Sequence, residues 1–348
     1  MNLIQSYGVF AMKKALCTLC CVAMSIALLS CTKKSEEKEI MLVMAEVNPP
    51  ETIAGRTDQV FKEKVEELSG GKIKIDLECS GILGDNATVR KLITQPGSTI
   101  QIARQSTAGF VALGCDSYAL LSIPFTFSNR EHFWAFAESE TAQKLLNEPK
   151  EKGLNIIGLY YGEEGFRHLF SAKKAASIQD FAGLNMRVTN DKALQAIAKS
   201  LNMEAVHVDF SDLYGAMQTG KVDVADQPLA NYLANHFDEV AKNIILDGHQ
   251  LGIMETFITT EAWDSLSEKQ QEILREAGKY ASDYCRKISQ EEEDAILQQV
   301  KDAGVTVTPV NDIAPWQQAL DGFIKETAAS NMDLYNEILS YAKKQSMH

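Results

Sequence analysis

The residue best suited to bind a small charged molecule is Arg187, in the stretch GLNMRVTND at residues 183–191. Leu184, Met186 and Val188 alternate there with polar residues, which predicts a short, half-buried strand. A buried guanidinium is unfavourable without an anionic partner, and no acidic residue lies just upstream of this one. The partner therefore comes either from elsewhere in the fold or from a molecule that is not part of the protein.

The sequence lacks the residue patterns of the common catalytic and metal sites. The six histidines form no pair with metal spacing, and no GxSxG elbow, phosphate loop or GxGxxG motif occurs. His207 and Asp209 would share a strand face, a pattern typical of a surface hydrogen bond. The acidic run EEED at 291–294 is typical of a solvated helix face. We therefore expect no enzyme activity, no metal and no cofactor.

The first thirty residues have the pattern of an export signal. Lys13 and Lys14 precede the apolar run ALCTLCCVAMSIALL, which is short for a membrane span. The sequence LLSC at 28–31 resembles a bacterial lipobox, which implies cleavage before Cys31 and lipidation of that residue. The alternative is an ordinary cleaved signal followed by an accidental cysteine. The start codon is either Met1 or Met12, and residues 31–39 are predicted to be a solvated tether.

The charge and cysteine content exclude other classes of protein. The 34 basic residues less Lys13 and Lys14 leave 32 against 47 acidic residues, a net charge of −15. This acidity argues against nucleic acid as a partner, because nucleic-acid binding needs phosphate neutralisation. Three cysteines, at 79, 115 and 285, remain after the export segment and have no metal spacing. Cys79 and Cys115 could form a disulfide, but buried free thiols are the expected state.

The order of predicted elements indicates an α/β fold with two lobes. Strands are predicted within 39–47, 72–78, 98–103, 153–161, 184–188, 205–209 and 221–227, and helices within 53–69, 86–93, 191–201 and 211–220. Strand–helix–strand order with short loops favours parallel sheets with right-handed crossovers. About 310 residues remain after the signal, which favours two lobes, and the pattern restarts near residue 164.

The longest predicted element is a helix over 267–302. Ser267 and Gln270 form a capping-box pair, and Gly304 fits the position after the helix end. At 1.5 Å per residue this helix would be roughly 54 Å long, longer than one lobe is wide. It would therefore either lie across both lobes or project into solvent, and we predict the former. No further hydrophobic span follows the signal, so the only membrane attachment expected is the lipid.

Several separated motifs together resemble the solute-binding proteins of tripartite ATP-independent periplasmic (TRAP) transporters. They are ILGDNATVRKL, LLSIPFTFSN, GFRHLFSAKKAASIQDFAGLNMRV and HVDFSDLYGAMQTGKVDVADQPL, in the family's order and spacing. The resemblance covers nearly all of residues 40–340. It implies two lobes joined by crossing strands, a long helix spanning both lobes, and a ligand trapped between them on closure. The predicted division is 40–164 with 253–292 for lobe I, and 165–252 with 293–348 for lobe II.

The resemblance also assigns roles to individual residues. Arg187 falls on the family's carboxylate-binding arginine, so its missing partner would be the carboxylate of the ligand, and Arg167 matches the second arginine of the cleft. A guanidinium suits this role because it offers two parallel donors to a carboxylate. The other candidate ligand contacts are Gln227, Phe210, Asn190, Arg104 and Gln105.

The sequence also departs from the family pattern. The usual Glu-Asn-Pro is Asp226-Gln227-Pro228 here, and Val224 replaces a glycine. Phe210 is either a wall of the cleft or core packing, as Trp134 is expected to be. Arg104 is either a third cationic contact, which would suit a second carboxylate on the ligand, or a framework residue.

The function that the resemblance implies is capture of an organic acid outside the cytoplasm. The protein would be anchored to the membrane by its lipid and would deliver the acid to the small and large membrane subunits of a cation-coupled TRAP permease. One alternative is an apolar, fatty-acid-like ligand, with a tetratricopeptide lipoprotein as partner. The other is an extracytoplasmic sensor or an enzyme on the same scaffold.

Overall fold

The computed structural model describes residues 39–345, so the predicted signal, the tether up to residue 38 and Cys31 lie outside the described part. The strands are β1 (Ile40–Ala45), β2 (Ile73–Glu78), β3 (Ile102–Ser106), β4 (Ile156–Ser171), β5 (Asn185–Val188), β6 (Glu204–His207), β7 (Val224–Pro228), β8 (Asn243–Thr259) and β9 (Thr306–Pro309). The helices are α1 (Ile53–Leu68), α2 (Asn86–Ile93), α3 (Tyr118–Leu121), α4 (Arg130–Ala137), α5 (Glu140–Leu145), α6 (Glu148–Glu151), α7 (Lys192–Ser200), α8 (Leu213–Gln218), α9 (Leu229–Ala234), α10 (Phe237–Val240), α11 (Thr260–Ser265), α12 (Glu268–Asp302), α13 (Ala314–Ala328) and α14 (Met332–Gln345). Four 3₁₀ segments, Thr107–Leu113, Ile178–Phe181, Phe210–Asp212 and Ala329–Asn331, complete the chain.

The strands of the described residues form one mixed sheet in the order β2-β1-β3-β8-β4-β7-β5-β6, with β9 beside β8. Lobe I is the part built on β1–β3, and lobe II is the part built on β5–β7. Within each lobe these three strands pair in parallel, as the element order predicts. The β3–β8, β4–β8 and β4–β7 pairings are antiparallel, whereas β9 pairs with β8 in parallel, so the parallel prediction holds for only part of the sheet.

Local sequence signals account for the elements of lobe I. The Thr52 side chain caps α1, whose Phe61 and Val65 are fully buried, and the helix ends just before Gly70 and Gly71 at φ of 60° and 75°. The third strand begins later than predicted, at Ile102. The reason is a turn, in which the Ser98 hydroxyl accepts a hydrogen bond from the Ile100 amide and donates one to the Ile100 carbonyl.

Two long antiparallel strands, β4 and β8, run through both lobes and connect them. Their register shifts between Glu163 and Phe166 and again between Arg167 and Leu169. Gly165, at φ 100°, lies in the first irregularity, where a side chain would be strained. A Cβ on Gly252, in the opposite strand, would meet the Gly165 carbonyl oxygen at 3.2 Å. The chain therefore bends between the lobes at a point where two backbones approach closely.

Helix α12 lies along both lobes, as its length predicts. Ser267 and Gln270 form the expected capping box, and the helix has 35 residues. Leu274, Ala277 and Ala281 pack in lobe I, and Val300 packs in a hydrophobic cluster of lobe II. The acidic run in its middle is less solvated than predicted. Glu292 pairs with Arg56, and Glu293 pairs with Arg130 at 3.2 Å.

The C-terminal end does not pack as predicted. The sequence-based division assigned all of 293–348 to lobe II, and Trp316 and Leu320 on α13 do pack in its core. Leu334 and Ile338 on α14 instead pack in the core of lobe I, where the ring of His132 lies 2.8 Å from the Ile338 carbonyl. Helix α14 therefore crosses back to lobe I, a packing choice that an amphipathic pattern does not specify.

The remaining cysteines are free thiols: Cys115 and Cys285 are buried, and Cys79 is partly exposed. Burial raises the pKa of Cys79 to about 11 and that of Cys115 to about 12. Within the described range, no helix combines the length and apolarity that a membrane crossing requires.

Candidate ligand-binding site

A cleft with a volume of about 350 Å³ lies between the two lobes. Both lobes contribute to its lining, lobe I through α2 and the 3₁₀ segment after β3, lobe II through the ends of β5, β6 and β7. The connecting strands form the base near Arg167 and Gln250. The carboxyl ends of β5 and β6 open into the cleft, which is the usual place for ligands in sheets of this type.

Arg187 lines this cleft and is only 5% exposed. Its Nε donates a hydrogen bond to the Val208 carbonyl at 3.0 Å, and no carboxylate of the described residues lies within 4.0 Å of it. Its two terminal nitrogens form no hydrogen bond with the described residues. Burial lowers the pKa of Arg187 to about 10, so the side chain is still charged at neutral pH. The guanidinium is therefore fixed by the backbone while its charge is not neutralised.

Arg167 also lines the cleft, but its charge is neutralised within the protein. Its Nε donates to Asp226 Oδ2 at 2.5 Å, and its Nη2 donates to the Asp226 carbonyl at 2.9 Å. Burial alone would lower the pKa of Arg167, but Asp226 outweighs burial and raises the pKa. Arg167 therefore presents only its remaining donors to the cleft.

Asp226 belongs to a buried ionic network that the sequence reasoning missed. Its Oδ2 lies 3.3 Å from His249 Nε2, and Asp247 Oδ2 lies 2.7 Å from His249 Nδ1. Burial opposes a charge on His249, but Asp247 and Asp226 raise its pKa to about 9. Burial would raise the pKa of Asp226, yet Arg167 and His249 hold it well below its usual range. The sequence signal that could have identified this network is the Asp-x-His spacing at 247–249, which places both side chains on one face of a strand.

The structure brings three more predicted contacts to the cleft, namely Gln227, Asn190 and Phe210. Gln227 is 5% exposed and follows Asp226 on β7. The Phe210 ring also lies edge-on to Phe237, 6.2 Å between centroids, so it is both a cleft wall and a core contact. His207 and Asp209 line the cleft as well, half-exposed and 3.9 Å apart.

Arg104 and Gln105 do not line the cleft, which corrects their prediction as ligand contacts. Arg104 is 1% exposed and pairs with Glu164 at 3.0 Å and with Glu46 at 3.7 Å. Gln105 is fully buried and accepts a hydrogen bond from Arg90 at 3.3 Å. Arg104 is a framework residue, because Glu164 and Glu46 neutralise it in the interior, and Gln105 lies behind the cleft wall, where it supports Arg90. Trp134 is core, as expected, and donates to Glu163 at 3.2 Å.

Arg90 is the cleft cation that the sequence reasoning missed. It projects from α2 into the cleft lining and forms no ion pair with the described residues. Its guanidinium lies 5.9 Å from the centroid of the Phe110 ring. Burial lowers the pKa of Arg90, and Asp85 only partly opposes this. An arginine on a helix is usually solvated, so the sequence carried no signal beyond the motif ILGDNATVRKL.

The carboxylates that line the cleft already have partners. Asp85 and Asp191 cap α2 and α7, accepting hydrogen bonds from backbone amides at 2.7 Å and 2.8 Å. Glu164 pairs with Arg104, and Asp209 faces His207. Asp85 stays ionised, because the hydrogen bond from the Thr88 amide lowers its pKa, so the lining holds negative as well as positive charge. Among the described residues, no group of three histidine, cysteine or acidic side chains could hold a metal ion.

Comparisons with known proteins agree with this architecture. Residues 44–331 match the family described as bacterial extracellular solute-binding protein, family 7. The C4-dicarboxylate-binding periplasmic protein of Rhodobacter capsulatus is 27% identical over 285 residues, 81% of this chain and 84% of that protein.

Two solved structures are similar in fold. The sugar acid binding protein of Advenella mimigardefordensis, in complex with galactonate, has a TM-score of 0.82 at 22% identity and covers 88% of this chain and 99% of its own. A TRAP periplasmic solute binding protein of Sulfurospirillum deleyianum with bound succinate has a TM-score of 0.79 at 25% identity, covering 86% and 98%. Because the family match spans most of the chain, this protein belongs to family 7 of the bacterial extracellular solute-binding proteins.

Proposed function

We propose that this protein captures an organic acid in the cleft by closure of its two lobes and delivers it to a TRAP-type membrane permease. The observation that carries the proposal is Arg187, a buried guanidinium that faces the cleft and has no anionic partner within residues 39–345. A carboxylate satisfies it better than any neutral group, because its two oxygens match the parallel donors of the guanidinium.

The surroundings of Arg187 suit a bound carboxylate. Its Nε is held by the Val208 carbonyl, so the guanidinium is oriented before the ligand arrives. Arg167 and Gln227 lie in the same lining and offer further donors. Closure around the bend at Gly165 would remove water from the pair, and a preorganised pair gains strength in the lower dielectric.

The chemistry of the lining favours a polar acid over an apolar one. Amide side chains enter the cleft from both lobes, namely Asn48, Asn86, Asn190, Asn231, Gln227 and Gln250. Asn48 and Gln250 already donate hydrogen bonds within the protein, but a fatty-acid chain would displace water from the other amides without replacing its hydrogen bonds, which is unfavourable. The relatives bind acids of the polar kind: a C4-dicarboxylate by name in one, and succinate in one solved structure. Mass spectrometry of the ligand released from the denatured protein would separate the two classes.

The location and partners form part of the same proposal. The export signal and the lipidation of Cys31 would place the protein outside the cytoplasm on a membrane surface. A polar acid captured there needs a membrane protein to carry it across. Genes for one small and one large multi-span protein beside this one would support the permease, whereas an adjacent sensor kinase would favour a sensor.

The test has two steps. A thermal-shift screen of carboxylates identifies the acid that binds most tightly, and the affinity of Arg187 variants for that acid is then measured. Removing one partner of a buried ion pair costs about 3–5 kcal/mol, so Arg187→Ala should weaken binding at least about 100-fold by isothermal titration. Arg187→Lys should also lose affinity, because lysine keeps the charge but not the two parallel donors of the guanidinium. The exposed Lys199, changed to Gln, is the matched control and should bind like the wild type.

Stability separates a binding role of Arg187 from a structural one. Among the described residues the guanidinium has one hydrogen-bond partner and no ion-pair partner, so the unfolding free energy of ligand-free Arg187→Ala should lie within about 1 kcal/mol of the wild-type value. An unchanged affinity in Arg187→Ala would refute the assignment.

A further inference from the structure

We propose that lobe I carries a second ligand site, separate from the cleft, which binds a small aromatic carboxylate. The site is a cavity of about 620 Å³ between helices α4 and α5 on one side and helices α11 and α12 on the other. Among the described residues, none lines both this cavity and the cleft, so the inference goes beyond the proposed function. Cavities of this size are typical of sites for small molecules.

The floor of the cavity is an edge of the sheet. In lobe I, β4 pairs with β8 alone among the described strands, because its pairing with β7 is confined to the half in lobe II. Two contacts cover the open edge: the Gly158 amide donates to the Leu146 carbonyl at 2.8 Å, and the Ser282 hydroxyl donates to the Tyr161 carbonyl at 2.8 Å. An added peptide strand would need these same backbone groups. The cavity therefore suits a small molecule better than a strand.

Two donors in the lining lack an acceptor. The Arg275 guanidinium lies 4.5 Å from the centroid of the Trp263 ring, and no carboxylate of the described residues lies within 4.0 Å of it. Trp263 is only 6% exposed, and its Nε1 donates no hydrogen bond within residues 39–345. A buried indole N–H usually has a hydrogen-bond partner, because a buried donor without one is unfavourable. A carboxylate would accept from Trp263 and neutralise Arg275.

The other charged side chains of the lining are already paired. Lys279 pairs with Asp283 at 2.9 Å, and Glu138 pairs with Arg286 at 2.9 Å. These pairs leave Arg275 as the charged lining residue that has no ion pair in the described part of the chain. A ligand with one negative charge matches this arrangement.

The apolar part of the lining suits a flat ring. Trp134 enters from α4 and Trp263 from α11, and Leu146 and Leu159 lie between them in the lining. The Trp134 ring is held in place, because its Nε1 donates to Glu163 at 3.2 Å. Aromatic pairs add about 0.5–1.5 kcal/mol to the free energy gained from buried area, so an aromatic ring is favoured over an aliphatic chain here.

The test uses three probes that separate the ring from the charge: indole-3-acetate, its neutral amide indole-3-acetamide, and acetate. Binding is measured by isothermal titration, with the cleft empty and with the cleft saturated by the acid found in the thermal-shift screen. We expect indole-3-acetate to bind in both cases, and at least about fivefold more tightly than either of the other probes.

Two variants and a control locate the site. Arg275→Gln removes the cation and should weaken indole-3-acetate about fivefold and indole-3-acetamide less than about twofold. Asn147→Trp fills the cavity and should block both probes. Asn147 is exposed and its side chain does not cap α6, so the fold is retained. The control Lys287→Gln removes an exposed charge from α12 outside the lining and should match the wild type.

Three results would overturn the second site: no binding of indole-3-acetate at millimolar concentration, loss of its binding when the cleft is saturated, or unchanged affinity in both variants. Equal weakening of indole-3-acetate and indole-3-acetamide in Arg275→Gln would overturn the carboxylate as the group recognised. The affinity of the cleft for its own acid should stay the same in Arg275→Gln, so failure of the second site leaves the proposed function intact.

Discussion

Replacing His249 with glutamine should destabilise the protein at pH 6 and have little effect at pH 9. His249 is 1% exposed, and each ring nitrogen faces a carboxylate, Asp247 at 2.7 Å and Asp226 at 3.3 Å. Since both contacts need a donor, the native state holds the imidazolium form. Glutamine fills similar space but carries no charge, so it leaves two buried carboxylates with one cation fewer between them.

The pKa values set the size and the sign of this effect. The pKa of His249 rises from 6.5 to about 9 on folding, a difference of about 2.5 units. At 1.36 kcal/mol per unit, the charged imidazole contributes about 3 kcal/mol to the free energy of unfolding. Because the native pKa is the higher one, this contribution is complete below pH 6.5 and is lost as the pH rises through 9. The pKa values of Asp226 and Asp247 are lowered on folding, so these two groups affect stability in a different pH range. Their contribution to the unfolding free energy is lost only as the pH falls through the acid range.

The assay is urea denaturation of ligand-free protein at pH 6, 7.5 and 9. The difference in unfolding free energy between the wild type and His249→Gln should be about 3 kcal/mol at pH 6 and shrink steadily towards pH 9. The control is His236→Asn, an exposed histidine at φ 57°, where asparagine is well tolerated. A difference that stays constant across the three pH values would refute the view that His249 is charged between the two aspartates.

Two further predictions concern a buried acid and the membrane anchor. Glu255 is fully buried and has no cationic partner in the described part of the chain. Burial raises its pKa well above 4.5, although the Tyr118 hydroxyl donates a hydrogen bond to it at 2.7 Å. Because the native pKa is the higher one, the stability of the wild type falls as the pH rises. The stability of Glu255→Gln in urea denaturation should therefore equal that of the wild type at pH 5 and exceed it at pH 8. A lower stability of the variant at pH 8 would contradict this. Cys31→Ser should move the exported protein from the membrane to the soluble fraction of cells, whereas retention in the membrane fraction would argue against lipidation.

Local elements were predictable because their signals are local. The helix NATVRKLI at 86–93 and the capping box at Ser267 appear at the predicted positions, since caps and apolar periodicity act within one or two turns. Arg187 was identified for a similar reason: its strand pattern and the absence of an acidic residue just upstream are both readable from the local sequence. Its lack of a partner in the fold required the structure.

The misassigned residues depend on contacts between distant parts of the chain. Arg104 was predicted to contact the ligand, yet it forms a buried ion pair with Glu164, which lies 60 residues away in the sequence. Arg90 was overlooked because only the cleft lining distinguishes it from a solvated helix residue. Helix α14 packs on lobe I through Leu334 and Ile338, a long-range contact that its own amphipathic pattern does not specify.

The sequence by itself determined the two-lobed α/β class, the long helix and the presence of one arginine on a half-buried strand with no acidic residue just upstream. Periodicity, caps and residue type encode these features locally. Only the tertiary structure decided which charges neutralise one another, leaving Arg90 and Arg187 unpaired on facing lobes while Arg167 and Arg104 are satisfied. Charge pairing acts over a few ångströms in space, and residues far apart in the sequence reach that distance only when the chain folds.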